Sequence, residues 1–275
     1  MISAQSPLTS TNTHPTYKPP IMKPILALTC ITLLAPALAS AATTTIDFAA
    51  SISSSGPGSM SVFGGMPTST NTISGFGLAA MAGGDRQVLS FSGIATANGS
   101  GLQFTHGTPS PNTTGYTVLM DIYYTAIPNY VSLLQLDNAT DGDLFGRSSG
   151  AAGISGDYSG TTLTPGAWHR FATTVDTSLT TETIKIYVDG TLINSVNSTN
   201  VGRYDISDPS FLIFADEDGE TADGYISQFH FSDRVYSDTE IGALGGANAA
   251  AIPEPSGLLL SAGAALGLLT RRRRA

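Results

Sequence analysis

LTPGAWHRFATTVDTSLTTETIKIYVDGTLI, residues 163 to 193, contains two turns whose chemistry fixes the local geometry. Asp189-Gly190 stands between two runs of alternating apolar residues. That is a strong hairpin signal, because a type I′ turn needs positive φ at both central positions. Upstream, Pro165-Gly166 marks another turn and leads into WHRFATTVD, a strand that carries Trp168, the only tryptophan of the chain.

Short runs of the same kind extend outward in both directions. YTVLMDIYY (116 to 124), YVSLLQL (130 to 136), SFLIF (210 to 214) and GYISQFHF (224 to 231) are rich in β-branched and aromatic residues and end at Gly, Asn, Asp or Pro. Short strands separated by turn signals predict an all-β chain folded as an antiparallel β-sandwich. TTIDFA (44 to 49) and RQVLSFSG (86 to 93) read as weaker strands. Ser51 to Thr72, poor in large apolar residues, reads as loop.

The hairpin stretch resembles the central hairpins of laminin-G-like, concanavalin-A-like jelly rolls, in which a Gly-x-Trp-His strand precedes a Tyr-Val-Asp-Gly turn. GYISQFHFSDRVYSDTEIGAL (224 to 244) is similar to the closing strand of that family, followed by the start of a short helix. There Ser237 or Asp238 is placed to cap and Glu240 to sit in the first turn. The resemblance covers residues 112 to 246. It implies a jelly-roll sandwich of residues 42 to 246, with a glycan as the most plausible ligand.

Composition narrows the function. The net charge is −9, and twenty of the 21 acidic residues lie between Asp47 and Glu240 beside six of the twelve basic ones. Such a field disfavours nucleic acid and anionic membrane. The single cysteine, Cys30, lies in the leader, so a cysteine nucleophile, a thiolate metal site and a disulfide framework are excluded for the mature chain.

The termini read as addresses. From Met22, MKPILALTCITLLAPALASA gives one lysine, an apolar run and small residues at Ala39 and Ala41 in the spacing that signal peptidase reads. Residues 1 to 41 are therefore expected to be leader and secretory signal, with Met1 and Met22 as alternative starts and an N-terminal signal helix ahead of the sandwich. At the other end, Pro253-Glu254-Pro255, an apolar run expected as a short helix, and Arg271, Arg272, Arg273 and Arg274 close the chain. Arginines beside an apolar segment stay on the cytoplasmic side of a membrane. Residues 247 to 275 resemble a PEP-CTERM sorting signal, which exosortases process in bacteria that make exopolysaccharide. This implies transient membrane association, then release to the cell surface or extracellular matrix.

Two acidic loops are the main candidates for chemistry. FADEDGETADG (214 to 224) holds Asp216, Glu217, Asp218, Glu220 and Asp223, and LDNATDGD (136 to 143) holds Asp141 and Asp143. Carboxylate oxygens in a flexible Gly-containing loop suit calcium. The resemblance implies the same, since pentraxins hold calcium with acidic residues in the loop before the Gly-x-Ile strand. Asp141, Asp143, Asp216, Asp218 and Glu220 are the candidate ligands, and the competing reading is two solvated loops.

Asp216, Asp218 and Glu220 also have the period of a strand face. Retaining glucanases of this superfamily use such a row, with paired carboxylates as nucleophile and acid. Here the row starts with aspartate rather than glutamate and is broken by Gly219, so binding is expected rather than hydrolysis. Trp168 is expected to be a core anchor rather than a sugar platform. His106, His169 and His230 lack metal-ligand spacing.

Overall fold

The computed structural model describes residues 42–252 apart from 49–51, 94–98, 108–113, 137–143, 155, 179, 200–201, 207 and 217–218. The leader with Ala39 and Ala41, and the tail from Pro253 to the arginines, lie outside the described residues, as do Asp141, Asp143 and Asp218.

The strands are β1 (Thr43–Asp47), β2 (Ser53–Ser55), β3 (Ser59–Phe63), β4 (Thr68–Thr72), β5 (Gln87–Phe91), β6 (Gly101–Thr105), β7 (Gly115–Tyr124) and β8 (Tyr130–Leu134). They continue as β9 (Leu144–Arg147), β10 (Ala152–Ile154), β11 (Asp157–Ser159), β12 (Trp168–Asp176), β13 (Glu182–Val188), β14 (Thr191–Ser198), β15 (Ser210–Ile213) and β16 (Gly224–Ser232). One helix, α1 (Asp238–Leu244), follows.

One layer is a nine-stranded sheet in the order β14-β13-β12-β7-β16-β1-β2, with β5 also on β16 and β4 on β5. The other comprises β11-β10-β9-β8 and β15-β6-β3. These two pieces meet where Gln135 and Leu212 exchange both backbone hydrogen bonds, at 2.9 and 2.8 Å. All pairings between named strands are antiparallel, as a jelly-roll sandwich requires.

Alternation puts Val118, Met120, Ile122 and Tyr124 of β7, with Phe171 and Val175 of β12, into the space between the layers. Phe104 of β6 sits among Phe229 at 4.7 Å and Phe211 and Phe231 at 5.3 Å, ring centre to ring centre. Such tilted contacts suit the charge distribution of aromatic rings.

The expected loop of residues 51 to 72 is corrected to three strands, β2, β3 and β4. Their Ser and Thr residues are largely exposed and carry no apolar alternation. Their pairing comes instead from neighbours in register, β3 on β6 and β4 on β5. Strands β6, β9, β10 and β11 are likewise not evident from the sequence, being three to five residues long, with glycine inside β9 and β10.

The sheet of β7, β12 and β16 is also covered on its outer face. Helix α1 starts at Ser237 with a capping box: Ser237 Oγ accepts from Glu240 N, while Glu240 accepts from Ser237 N. It packs Ile241 and Leu244 on Leu119, Ala172, Tyr187 and Tyr236. The chain then runs across the sheet to Ile252, past the boundary expected at Gly246. Gln228 Nε2 donates to Asn248 O and Ala250 O, and Ile252 N donates to Gln228 Oε1. Arg86 donates to Ala249 O and pairs with Asp47.

Candidate functional site

The Asp189-Gly190 turn has the geometry its sequence demands, with φ of 52° and 78° and the two-residue loop of a hairpin between Val188 and Thr191. Its aspartate does more than turn the chain. Asp189 Oδ1 accepts from Arg170 N at 2.9 Å, and Oδ2 accepts from His169 Nδ1 at 2.8 Å. Since Thr164 N donates to His169 Nε2 at 3.2 Å, the neutral ring carries its proton on Nδ1. Burial works to raise the Asp189 carboxyl, but the hydrogen bonds from His169 and Arg170 outweigh it and hold the group below its ordinary value. Asp189 therefore stays anionic while partly exposed.

Beside it lies a shallow groove of about 330 Å³, whose walls include Ala79, Met81, Gly166, Trp168, Asp189 and Ala247. Trp168, Tyr123 and Tyr225 are register partners on β12, β7 and β16, and so form an aromatic row across the outer face. The Trp168 and Tyr123 rings are 5.4 Å apart, and Tyr123 meets Tyr225 edge-on at 5.9 Å. Trp168 Nε1 donates to Ala79 O at 3.1 Å, pinning the segment that covers this corner. The tryptophan is thus an anchor outside the sandwich core, packed against Ile73, Met81 and Val88 and only partly covered. Sequence reasoning missed the row, although the alternation of β7 and β16 places Tyr123 and Tyr225 on that face.

The acidic loop begins with a strained residue. Phe214 has φ of 61°, a region bulky side chains avoid, and its ring stacks on Phe91 at 4.2 Å. β15 ends at Ile213, so Asp216 and Glu220 lie in loop rather than on a strand face. Asp216 is 1% exposed, and its Oδ2 accepts from Glu220 N at 3.4 Å. Ser132 N donates to Glu220 O, tying this loop alongside the middle of β8. Among the described residues, no three His, Asp or Glu side chains gather in a metal-binding group.

The histidines serve the fold. His230, fully buried, joins Thr45 Oγ1 to Tyr236 Oη, each at 2.9 Å, and His106 Nε2 donates to Asp208 O at 2.8 Å.

This geometry agrees with the family to which the sequence is assigned. Residues 96–242 match the laminin-G-type model of the concanavalin A-like lectin/glucanases superfamily, and the chain belongs to that superfamily. No curated protein sequence matches it. Similar solved structures include the botulinum neurotoxin serotype G binding domain, at TM-score 0.49 and 14% identity over 74% of this chain and 50% of that one. The receptor binding domain of the botulinum neurotoxin C/D mosaic serotype gives 0.46 and 12% over 74% and 49%. The binding domain of Paraclostridial Mosquitocidal Protein 1 gives 0.46 and 12% over 67% and 46%. This chain spans about half the length of each, and the likeness concerns the fold alone.

Proposed function

We propose that this chain is an exported bacterial surface or matrix protein that binds glycan in the groove at Trp168. The observation that carries this reading is the pairing of a partly exposed indole with an anionic carboxylate in one shallow groove. A sugar ring offers an apolar face to the indole and hydroxyl donors to Asp189. Binding is favoured over glycoside hydrolysis because Asp216 is buried and Asp216 and Glu220 lie off the strand.

A glycan array of the wild type and Trp168→Ala tests it. Loss of one aromatic contact is worth about 1 kcal/mol, or roughly fivefold in affinity. Binding that survives the substitution moves the site elsewhere, silence on the array selects a structural matrix role, and release of reducing sugar selects a hydrolase.

The termini supply the rest of the proposal: signal peptidase cleaves after Ala41, and an exosortase processes the tail at the membrane. Supporting this is the sequence of the tail, in which Pro253-Glu254-Pro255 follows directly on Ile252, whose N–H donates to Gln228 Oε1. Mass spectrometry of the released protein should find Arg271 to Arg274 gone, and an intact tail refutes exosortase processing.

We also propose calcium as a cofactor of the acidic loop. Asp216 and Glu220 bring the hard carboxylate oxygens that calcium takes, and Asp218 lies between them in sequence. Asp141 and Asp143, outside the described residues, complete the proposed ligand set.

A further inference from the structure

On the second layer, away from the Trp168 groove, one arginine is held in an unusual way. Tyr130 of β8 and Arg147 of β9 are register partners, and Tyr158 of β11 pairs with Gly153, itself the partner of Phe145. The intervening Val131 and Ala152 point into the core, and a Cβ on Gly146 would meet Leu163 and Val131 there. By alternation Tyr130, Arg147 and Tyr158 therefore share the outer face, where all three are partly exposed. The Arg147 guanidinium carbon lies 4.8 Å from the Tyr130 ring centre and 5.0 Å from that of Tyr158. The rings are 5.7 Å apart and tilted by 55°, so they grip the cation from two sides without enclosing it.

Other cations of the domain are used differently. Arg86, Arg170, Lys185 and Arg234 each sit on a carboxylate, Arg234 also over the Tyr236 ring, and Arg203 lies over the single ring of Tyr204, whereas Arg147 meets two rings and makes no ion pair among the described residues. Stacking occupies the faces of a guanidinium and leaves its in-plane N–H donors for a second partner. Two such donors match a planar carboxylate in bidentate fashion. A single arginine in a strongly acidic domain engages one carboxylate at a time.

We propose that Arg147, oriented by Tyr130 and Tyr158, binds the carboxylate of a uronic acid residue in an acidic polysaccharide. The proposal rests on the glycan reading above and adds a subsite on the opposite sheet from Trp168. Calorimetry of the mature protein with an oligogalacturonate and with its methyl ester tests it, using Arg147→Gln, Arg147→Lys and Trp168→Ala alongside the wild type.

The acid should bind at least tenfold more tightly than the ester, with a preference that weakens as salt rises. Arg147→Gln should abolish that preference without changing the melting curve, Arg147→Lys should restore only part of it, and Trp168→Ala should leave it intact. Equal binding of acid and ester, a preference that survives Arg147→Gln, or equal binding of inorganic phosphate overturns the assignment. Neutral glycans lost only in Trp168→Ala, with no acid preference in any variant, would sink this subsite and keep the groove. The reverse pattern would keep the subsite and sink the groove.

Discussion

Arg170 grips Asp121 through two parallel hydrogen bonds, 2.7 Å from Nε and 2.8 Å from Nη2, and both side chains are almost wholly buried on the outer face of the nine-stranded sheet. The third arm of the guanidinium, Nη1, donates to Leu244 O at 2.8 Å, while Asn248 N donates to Asp121 Oδ2 at 3.3 Å. The pair therefore fastens the end of α1 and the segment after it. Burial pushes the Asp121 carboxyl up, opposed by the hydrogen bonds and charge of Arg170.

Breaking this pair from one side strands a buried charge. Arg170→Met should cost about 3–5 kcal/mol in urea unfolding, and the double variant Arg170→Met with Asp121→Leu should cost less than the single one. Hydrogen exchange should show the loss first at residues 245 to 252. Equal costs for the single and double variants would mean the charge was never uncompensated.

Gly190 has two reasons to be glycine. Its φ is 78°, and a Cβ there would lie 3.1 Å from Gly245 Cα and 3.2 Å from Gly242 O. Gly190→Val should destabilise the domain by more than ~1 kcal/mol. An unchanged melting curve would show that the contact between turn and helix yields freely.

The Asp189 carboxyl has its folded value depressed below the ordinary 3.8, so its contribution to stability is complete above that pH and is lost as the pH falls through the lower folded value. Asp189→Asn keeps a residue tolerant of positive φ but removes the titration. The melting temperature of the wild type should fall more steeply between pH 5 and 2 than that of the variant. Asp233, raised by burial, titrates with the opposite sign and cannot account for that difference. Parallel curves would remove the His169–Asp189 contact from the acid response.

Calcium binding only to the folded state raises stability by RT ln(1 + [L]/Kd), about 2.7 kcal/mol at a hundredfold excess over Kd. Melting should rise by several degrees in calcium and less in magnesium, which demands octahedral geometry. Asp216→Asn should abolish the shift. Equal melting in calcium, magnesium and chelator removes the cofactor.

The strands that bury large apolar residues were legible in the sequence. Glu182–Val188 alternates cleanly, Trp168–Asp176 is a long run with aromatic and β-branched residues after a Pro-Gly turn, and Asp189-Gly190 leaves one way to join β13 to β14. Ser237 and Glu240 announced the helix through their spacing. The Ser- and Thr-rich strands were hidden because a half-exposed strand can be held by its partners' backbone alone. The Tyr130–Arg147–Tyr158 cluster was equally hidden. Its members come from three strands, and only the register of β8 on β9 and of β10 on β11 brings them together.

The outer-face segment also sets an order of events. A chain delivered from its N-terminus presents β7, β12 and β16 before residues 245 to 252 arrive. Until then Asp121 and Gln228 lack their backbone partners at Asn248 and Ala250. The outer face is thus completed by residues 248 to 252, and truncation before Asn248 would remove these partners of Asp121 and Gln228.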